Sequence, residues 1–476
     1  MTNLMQHRGW ISKMRLGAAS AALALAAVLV PAVITTQSAQ AQTFKTLHSF
    51  DVTDGQYPEA GLVQGTNGDF YGTTFQGGAN GDGTVFKITP SGTLTTLHSF
   101  DITDGSWIIA GLVQGTNGDF YGTTFEGGAS DNCRGGCGTI FKITPSGTLT
   151  TLHSFDITDG SNPQAALVQG TNGKFYGTTS GGGANDFGTI FKITPSGTLT
   201  TLHSFNFYTD GDPLAGLVQA TNGDFYGTTW DGGANGYGTV FKITPSGTLT
   251  TLYTFDGTDG SYPYAGLVQA TNGHFYGTTE EGGANGYGTV FKITPSGTLT
   301  TLHSFDITDG ATPVAALVQA TDGHFYGTTY YGGANGDGTV FKITPSGALT
   351  TLHSFDITDG GNPYAAMVQA TNGKFYGTTF QGGANGDGTV FSLSVGLGPF
   401  VETQPTSGKV GAEVKILGTD LTGATSVTFN GTAAAFKVVA KSLITTTVPS
   451  GATTGTVDVK TAKNTLKSNV VFRVTK

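Results

Sequence analysis

FYGTTFQGGANGDGTVFKITPSGTLTTLHSF, residues 70–100, decides the architecture, because close copies of it recur almost to the end of the chain. Its His-Ser-Phe ending stands at His48, His98, His153, His203, His303 and His353, and Tyr253-Thr254-Phe255 fills the one gap. The seven copies are spaced by 50, 55, 50, 50, 50 and 50 residues. A fixed period of this size marks a stacked or ring architecture.

Each copy breaks into four short runs of strand character. Residues 60–64 lead into Thr66-Asn67-Gly68, and Asn-Gly is a strong hairpin signal because both residues tolerate positive φ. Residues 69–74 follow, then a glycine-rich loop over 76–83 and the β-branched, aromatic run 84–89. Pro90-Ser91-Gly92 turns the chain into residues 94–100. Four antiparallel strands of this kind make one propeller blade.

The two ends of the repeat complement each other. The seventh copy stops after its third strand, residues 389–395, and its missing fourth strand stands at the start of the repeat as residues 43–50. A linear β-solenoid, the runner-up, has no need of such complementarity; a ring does, because the N-terminal strand then covers an otherwise open edge. The expectation is an all-β protein: a seven-bladed β-propeller over residues 42–395 closed by an N-terminal strand, a linker at 396–398, and a C-terminal domain over 399–476.

Arg8, Lys13 and Arg15 precede an apolar run over residues 16–34, and Ala39-Gln40-Ala41 has the small-x-small pattern of a cleavage site. Residues 1–41 are therefore expected to be a secretory signal peptide, giving a secreted, cell-surface or periplasmic protein with no membrane span after cleavage; an uncleaved membrane anchor is the alternative, because the run approaches spanning length. Glycine supplies 76 of 476 residues, about twice the usual share, and charged residues are only 11%. The chain carries −10 overall; residues 42–397 hold 10 basic and 28 acidic side chains, while residues 398–476 hold 9 and 4. An acidic ring argues against nucleic acid, whose binding draws on cationic contacts to phosphate.

Strand alternation places the Thr-Asn-Gly and Pro-Ser-Gly turns on one face and both longer loops on the other, where function is expected. The copies diverge in those loops. Before Gly-Gly stand Phe75-Gln76, Phe125-Glu126, Ser180-Gly181, Trp230-Asp231, Glu280-Glu281, Tyr330-Tyr331 and Phe380-Gln381; after Asp-Gly stand Tyr57, Trp107, Asn162, Tyr262, Thr312 and Asn362. The candidate ligand-binding residues are Tyr57, Trp107, Asn162, Trp230, Asp231, Tyr262, Glu280, Glu281, Tyr330 and Tyr331. Rings that stack on sugar faces beside acids that take hydroxyls suit a polysaccharide; Tyr and Trp equally suit a surface-protein partner. Untuned drift after duplication is the bland alternative.

Cys133 and Cys137 lie in the enlarged second copy and are expected to form a disulfide in an oxidising compartment. The recurring Asp51-x-x-Asp54 pattern provides two carboxylates per loop, short of the six to eight oxygens of a calcium site, and Asx-type turns explain it without an ion. No cofactor or metal is therefore assigned, calcium being the less favoured reading. The serial histidines, spread around a ring, cannot share a metal and are expected to be hydrogen-bonded between blades, with His274 and His324 solvated. No nucleophile elbow, zinc-binding histidine pair or phosphate loop appears, so no catalytic residue is assigned.

The Phe-Tyr-Gly-Thr-Thr, Gly-Gly-Ala-Asn and Gly-Thr-Val-Phe segments resemble the GloVer tandem-repeat family of bacterial surface and secreted proteins, which implies export and often a C-terminal anchoring device. Gln404-Pro405-Thr406-Ser407-Gly408, Ile416-Leu417-Gly418, Val427-Thr428-Phe429-Asn430-Gly431 and Val448-Pro449 resemble an IPT/TIG domain over 399–475. That resemblance implies an immunoglobulin-like β-sandwich. The expected function is a non-catalytic, monomeric binding or adhesion protein presenting a multivalent loop face to polysaccharide or a surface protein. An extracellular carbohydrate-active hydrolase or lyase and a structural envelope component are the alternatives.

Overall fold

The computed structural model describes residues 42–206 and 208–475; the leader expected over 1–41 lies outside them. Regular structure among the described residues is all β apart from one 3-10 turn at Leu421–Gly423. After β1 (Thr43–Ser49) come β2 (Val63–Gln64), β3 (Phe70–Thr74), β4 (Thr84–Ile88) and β5 (Leu94–Ser99), and β2 to β5 pair in order as one antiparallel sheet. The same blade-like sheet recurs over residues 113–154, 168–204, 218–254, 268–304 and 318–354. Val368–Gln369, Phe375–Thr379 and Thr389–Ser394 make three strands of a further sheet, and β1 supplies the fourth, from Thr43 opposite Ser394 to Ser49 opposite Thr389.

The innermost strand is shorter than its sequence suggests, two residues instead of five. Its preceding residues bond to the neighbouring sheet: the Ala60 carbonyl accepts from Thr378 Oγ1 at 3.0 Å, and Ala110 from Thr73 at 3.0 Å. The same contact runs from Thr123 to Ala165, and onward through each sheet to Thr328 and Ala365. A second series links each Thr-Asn-Gly turn to the next glutamine, beginning with Thr66 N–H donating to Gln114 Oε1 at 3.0 Å. It ends with Thr371 N–H donating to Gln64 Oε1, so the series returns to the first sheet.

Aromatic packing follows the same circuit. Successive side chains of β3 point to opposite faces, so Tyr71 stacks on Phe120 of the next sheet at 3.9 Å while Phe70 meets Tyr376 of the preceding one at 4.1 Å. Such ring pairs contribute about 0.5–1.5 kcal/mol beyond burial, and there is one at every junction. Gly72 has no alternative in this strand: a Cβ would stand 2.5 Å from the Phe86 ring that lies across it.

Residues 402–475 form two four-stranded sheets around Val414, Ile416, Val427, Phe429, Ile444 and Phe472, with a short parallel pair, Ser407–Lys409 with Arg473–Thr475, at one side. This sandwich sits on the turn face. Ser442 Oγ donates to the Thr66 carbonyl at 3.0 Å, Lys415 Nζ to Thr116 at 2.8 Å and Arg473 to Thr221, while the Thr371 and Thr419 hydroxyls meet at 3.0 Å. Between the two lies a cavity of about 1380 Å³, lined by Val168, Gln169 and their counterparts in neighbouring copies and by Lys467 and Arg473 of the sandwich.

Candidate functional site

On the opposite face the two divergent loops are tied together. Gln56 and Gln76 exchange backbone hydrogen bonds of 2.8 and 3.1 Å, and the bridge recurs at Ser106 with Glu126 and Ser261 with Glu281. The second residue after Asp-Gly lies in left-handed backbone: φ is +55° at Tyr57, +56° at Trp107, +55° at Asn162 and +57° at Tyr262. That backbone is unfavourable for aromatic residues, so the surrounding loop must hold it. Each such side chain packs against the loop of the preceding copy: Tyr57 on Phe380 at 5.0 Å, Trp107 against Phe75 at 5.6 Å and Tyr262 against Trp230 at 4.9 Å. Asn162 Nδ2 donates to the Phe125 carbonyl at 3.1 Å.

Divergence at these positions therefore reflects paired packing between neighbouring copies. Tyr57, Trp107, Asn162 and Tyr262 serve that packing. Glu281 and Tyr331 are exposed on the loops, Tyr331 at 50%.

Glu280 and Tyr330, and Trp230 beyond its packing on Tyr262, converge with residues that the loop comparison overlooks. The position three before each inner Leu-Val (Met-Val in the last copy), directly after proline in most copies, reads Glu59, Ile109, Gln164, Leu214, Tyr264, Val314 and Tyr364. Three of these residues, Gln164, Tyr264 and Tyr364, approach one another across non-neighbouring sheets. Tyr264 Oη donates to Gln164 Oε1 at 3.3 Å, its ring lies 5.5 Å edge-on from that of Tyr364, and Tyr330 approaches Tyr364 at 5.8 Å. Trp230 Nε1 donates to Glu280 Oε2 at 3.1 Å.

Burial shapes the protonation of this cluster. It lifts the Glu59 carboxyl to about 7 and pushes the Tyr264 hydroxyl up to about 12. Glu280 is raised by burial and by the Glu281 carboxylate, against the Trp230 hydrogen bond. The charges of Glu59 and Glu280 both act on Tyr264 and Tyr364 and, after burial, help to raise their hydroxyls. Beside them, burial and the Asp231 carboxylate lift Asp212 to about 7, and Asp212 N–H donates to Asp231 Oδ1 at 3.2 Å. A set of aromatic faces, one amide and two carboxyls can stack on a ring and hydrogen-bond its substituents.

The Asp-x-x-Asp loops use their own carboxylates. Asp51 Oδ1 accepts from Thr53 N–H at 2.8 Å, Asp54 Oδ1 accepts from Asp51 N–H at 3.0 Å, and Asp54 Oδ2 pairs with His48 Nε2 at 2.8 Å. The histidine partner is thus the aspartate of the following loop, repeated from His98 with Asp104 to His353 with Asp359. His324 is half-buried and pairs with Asp322 at 2.9 Å; His274 is half-buried too, with Nδ1 enclosed, so neither is simply solvated. Among the described residues no three His, Cys, Asp or Glu side chains form a metal-binding group. Cys133 and Cys137 are joined by a disulfide with Cα atoms 5.1 Å apart.

The profile of the Gloeobacter/Verrucomicrobia repeat matches residues 32–222 and 205–391, which together span most of the chain. The chain belongs to the Gloeobacter/Verrucomicrobia repeat family. The family repeat is followed by an IPT/TIG domain matched over residues 400–474. No curated protein matches this family member. Solved structures with similar folds include the periplasmic gluconolactonase PpgL of Pseudomonas aeruginosa, at 17% identity over 69% of this chain and 97% of that one, with a TM-score of 0.45. Others are a structural-genomics protein of unknown function from Bacteroides thetaiotaomicron VPI-5482 (14%, 74% and 76%, 0.43) and the gluconolactonase XC5397 of Xanthomonas campestris (13%, 54% and 78%, 0.35).

Proposed function

We propose that the seven sheets are the blades of one closed β-propeller and that the protein is an exported, non-catalytic binding protein whose ligand is a glycan. The observation that carries this is the central cluster of Glu59, Gln164, Tyr264, Tyr364, Trp230 and Glu280, unlike residues gathered by a frame that otherwise repeats itself. Aromatic rings offer the apolar face of a sugar a surface, while the amide and carboxyls take its hydroxyls. The site is single, because the positions expected to repeat the contact around the ring are engaged in loop packing. Occupation of the turn face by the sandwich leaves the loop face as the side of approach.

The test is a polysaccharide and oligosaccharide binding screen of the protein, with released sugar assayed in each mixture. Binding that Tyr364→Ala abolishes and Glu126→Gln leaves unchanged supports the reading; Glu126 lies beside Arg134 in the enlarged second copy. Released product would favour a hydrolase using the raised carboxyls of Glu59 and Glu280. Failure to bind any glycan would overturn the proposal in favour of a protein partner or a structural role.

A further inference from the structure

The central cluster lacks a cation of its own. The charge of Glu59 acts on the hydroxyls of Tyr264, Tyr330 and Tyr364, that of Glu280 acts on Tyr264 and Tyr364, and Glu280 accepts from Trp230 Nε1 at 3.1 Å. No ion pair of either glutamate occurs among the described residues. Apart from Arg134, the Lys and Arg residues of the repeat are kept at the other end, Lys45 of β1 among them. Lys87, Lys142, Lys192, Lys242, Lys292 and Lys342 occupy one strand position beside the turns, where Lys142 and Lys242 approach Asp119 and Asp224 at 4.0 Å. Lys174 and Lys374 stand in the turns themselves. Arg134, in the enlarged loop of the second copy, faces Glu126.

Two half-buried carboxyls among four aromatic rings, with no basic side chain facing them, form an incomplete charge arrangement. Burying a carboxylate without a partner is unfavourable, and the group holds its proton instead. Aromatic faces favour a cation at the same place through the ring quadrupole. We propose that the central cluster selects a ligand bearing an organic ammonium group, an amino sugar in a glycan chain, and discriminates against carboxylated sugars.

This rests on the glycan-binding reading above and narrows it. The ammonium would lie against the faces of Tyr264, Tyr364 and Trp230 and pair with Glu59 and Glu280, while Gln164 takes a neighbouring hydroxyl. Binding would have a proton consequence. Glu59, lifted to about 7 by burial, is partly protonated at neutral pH, and a bound cation lowers its affinity for that proton, so complex formation releases protons to the buffer.

The experiment is isothermal titration of the full protein at pH 7 with glucosamine oligomers, their N-acetylated counterparts, galacturonate oligomers and choline, each in two buffers of different ionisation enthalpy. The amino oligomer should bind at least about tenfold more tightly than the acetylated one, a difference typical of one partly desolvated cation–π or ionic contact. Its observed heat should depend on the buffer through proton release. Glu59→Gln and Tyr364→Leu should each erase the preference, with circular dichroism reporting on the fold, and Glu126→Gln should preserve it. Equal binding of amino and acetylated oligomers overturns the ammonium inference and leaves glycan binding standing. Choline binding without any glycan binding overturns the glycan reading and keeps the cation site. Preference for galacturonate, or no binding at all, overturns the inference outright.

Discussion

Thr371 donates its backbone N–H to the side-chain oxygen of Gln64 at 2.9 Å, across 307 residues of sequence. The bond is one of seven alike, but it alone in its series joins the last copy to the first. Thr371 is 1% exposed, so its N–H has no water to turn to. Gln64→Ala should lower stability by about 1–3 kcal/mol, the cost of leaving a buried donor unpaired. Chemical denaturation of the wild type and the variant checks this, and an unchanged midpoint would show that the junction opens to solvent.

Phe44, on the borrowed strand, stacks on His353 at 3.9 Å and touches Phe391 at 5.3 Å. Its ring is half-buried, so Phe44→Ala should cost somewhat less than the ~3–5 kcal/mol of a fully buried phenylalanine. The variant should also expose the Thr389–Ser394 edge, seen as faster amide exchange there than in the equivalent strand Thr189–Ile193.

Glu59 gives stability a pH dependence whose sign is fixed by its environment. Its carboxyl is lifted from 4.5 to about 7 by burial, so between these values the folded state binds more protons than the unfolded one. The contribution is fully present below about 4.5 and is lost as pH rises through about 7. Glu59→Gln should therefore raise the melting temperature at pH 8 relative to wild type and flatten the decline across that window. Asp212, lifted to about 7 by burial and Asp231, adds a fall of the same sign.

The two halves of the disulfide differ in burial. Cys137 is fully enclosed beside Ile140, Phe155 and Phe175, whereas Cys133 is partly exposed. Closing so short a loop contributes at most about 2 kcal/mol by chain entropy. Cys133→Ser should cost no more than that. Cys137→Ser should cost more, because it also buries a hydroxyl, at about 1–3 kcal/mol if unpaired. Thermal melts of both variants, and of wild type with and without reductant, separate the contributions.

The frame was legible because its information is repeated: the strand pattern around Phe70, Thr84 and Leu94 occurs in every copy, and the spare strand at Thr43 announces its own destination. The central cluster was only half legible. Trp230, Glu280 and Tyr330 stand out as departures from neighbouring copies, but so do Tyr57, Trp107 and Asn162, whose differences answer to the loop next door. Glu59, Gln164, Tyr264 and Tyr364 vary just as much at one fixed place. Their importance comes from a convergence over 100-residue separations, as between Gln164 and Tyr264, that only the folded chain creates.

The sandwich rests on the backbone or hydroxyl of Thr66, Thr116, Thr221 and Thr371, the same residue of four near-identical turns. Each copy offers the sandwich nearly the same turn, so the interface chemistry distinguishes poorly among the copies. The choice falls to the tether, whose few residues from Val395 to Gly398 reach only the seat beside the last sheet, where Phe400 N–H bonds the Thr371 carbonyl at 3.0 Å. The bearing of one domain on the other is thus encoded in a length of chain, and inserting residues into it would turn a fixed coupling into an indexed one.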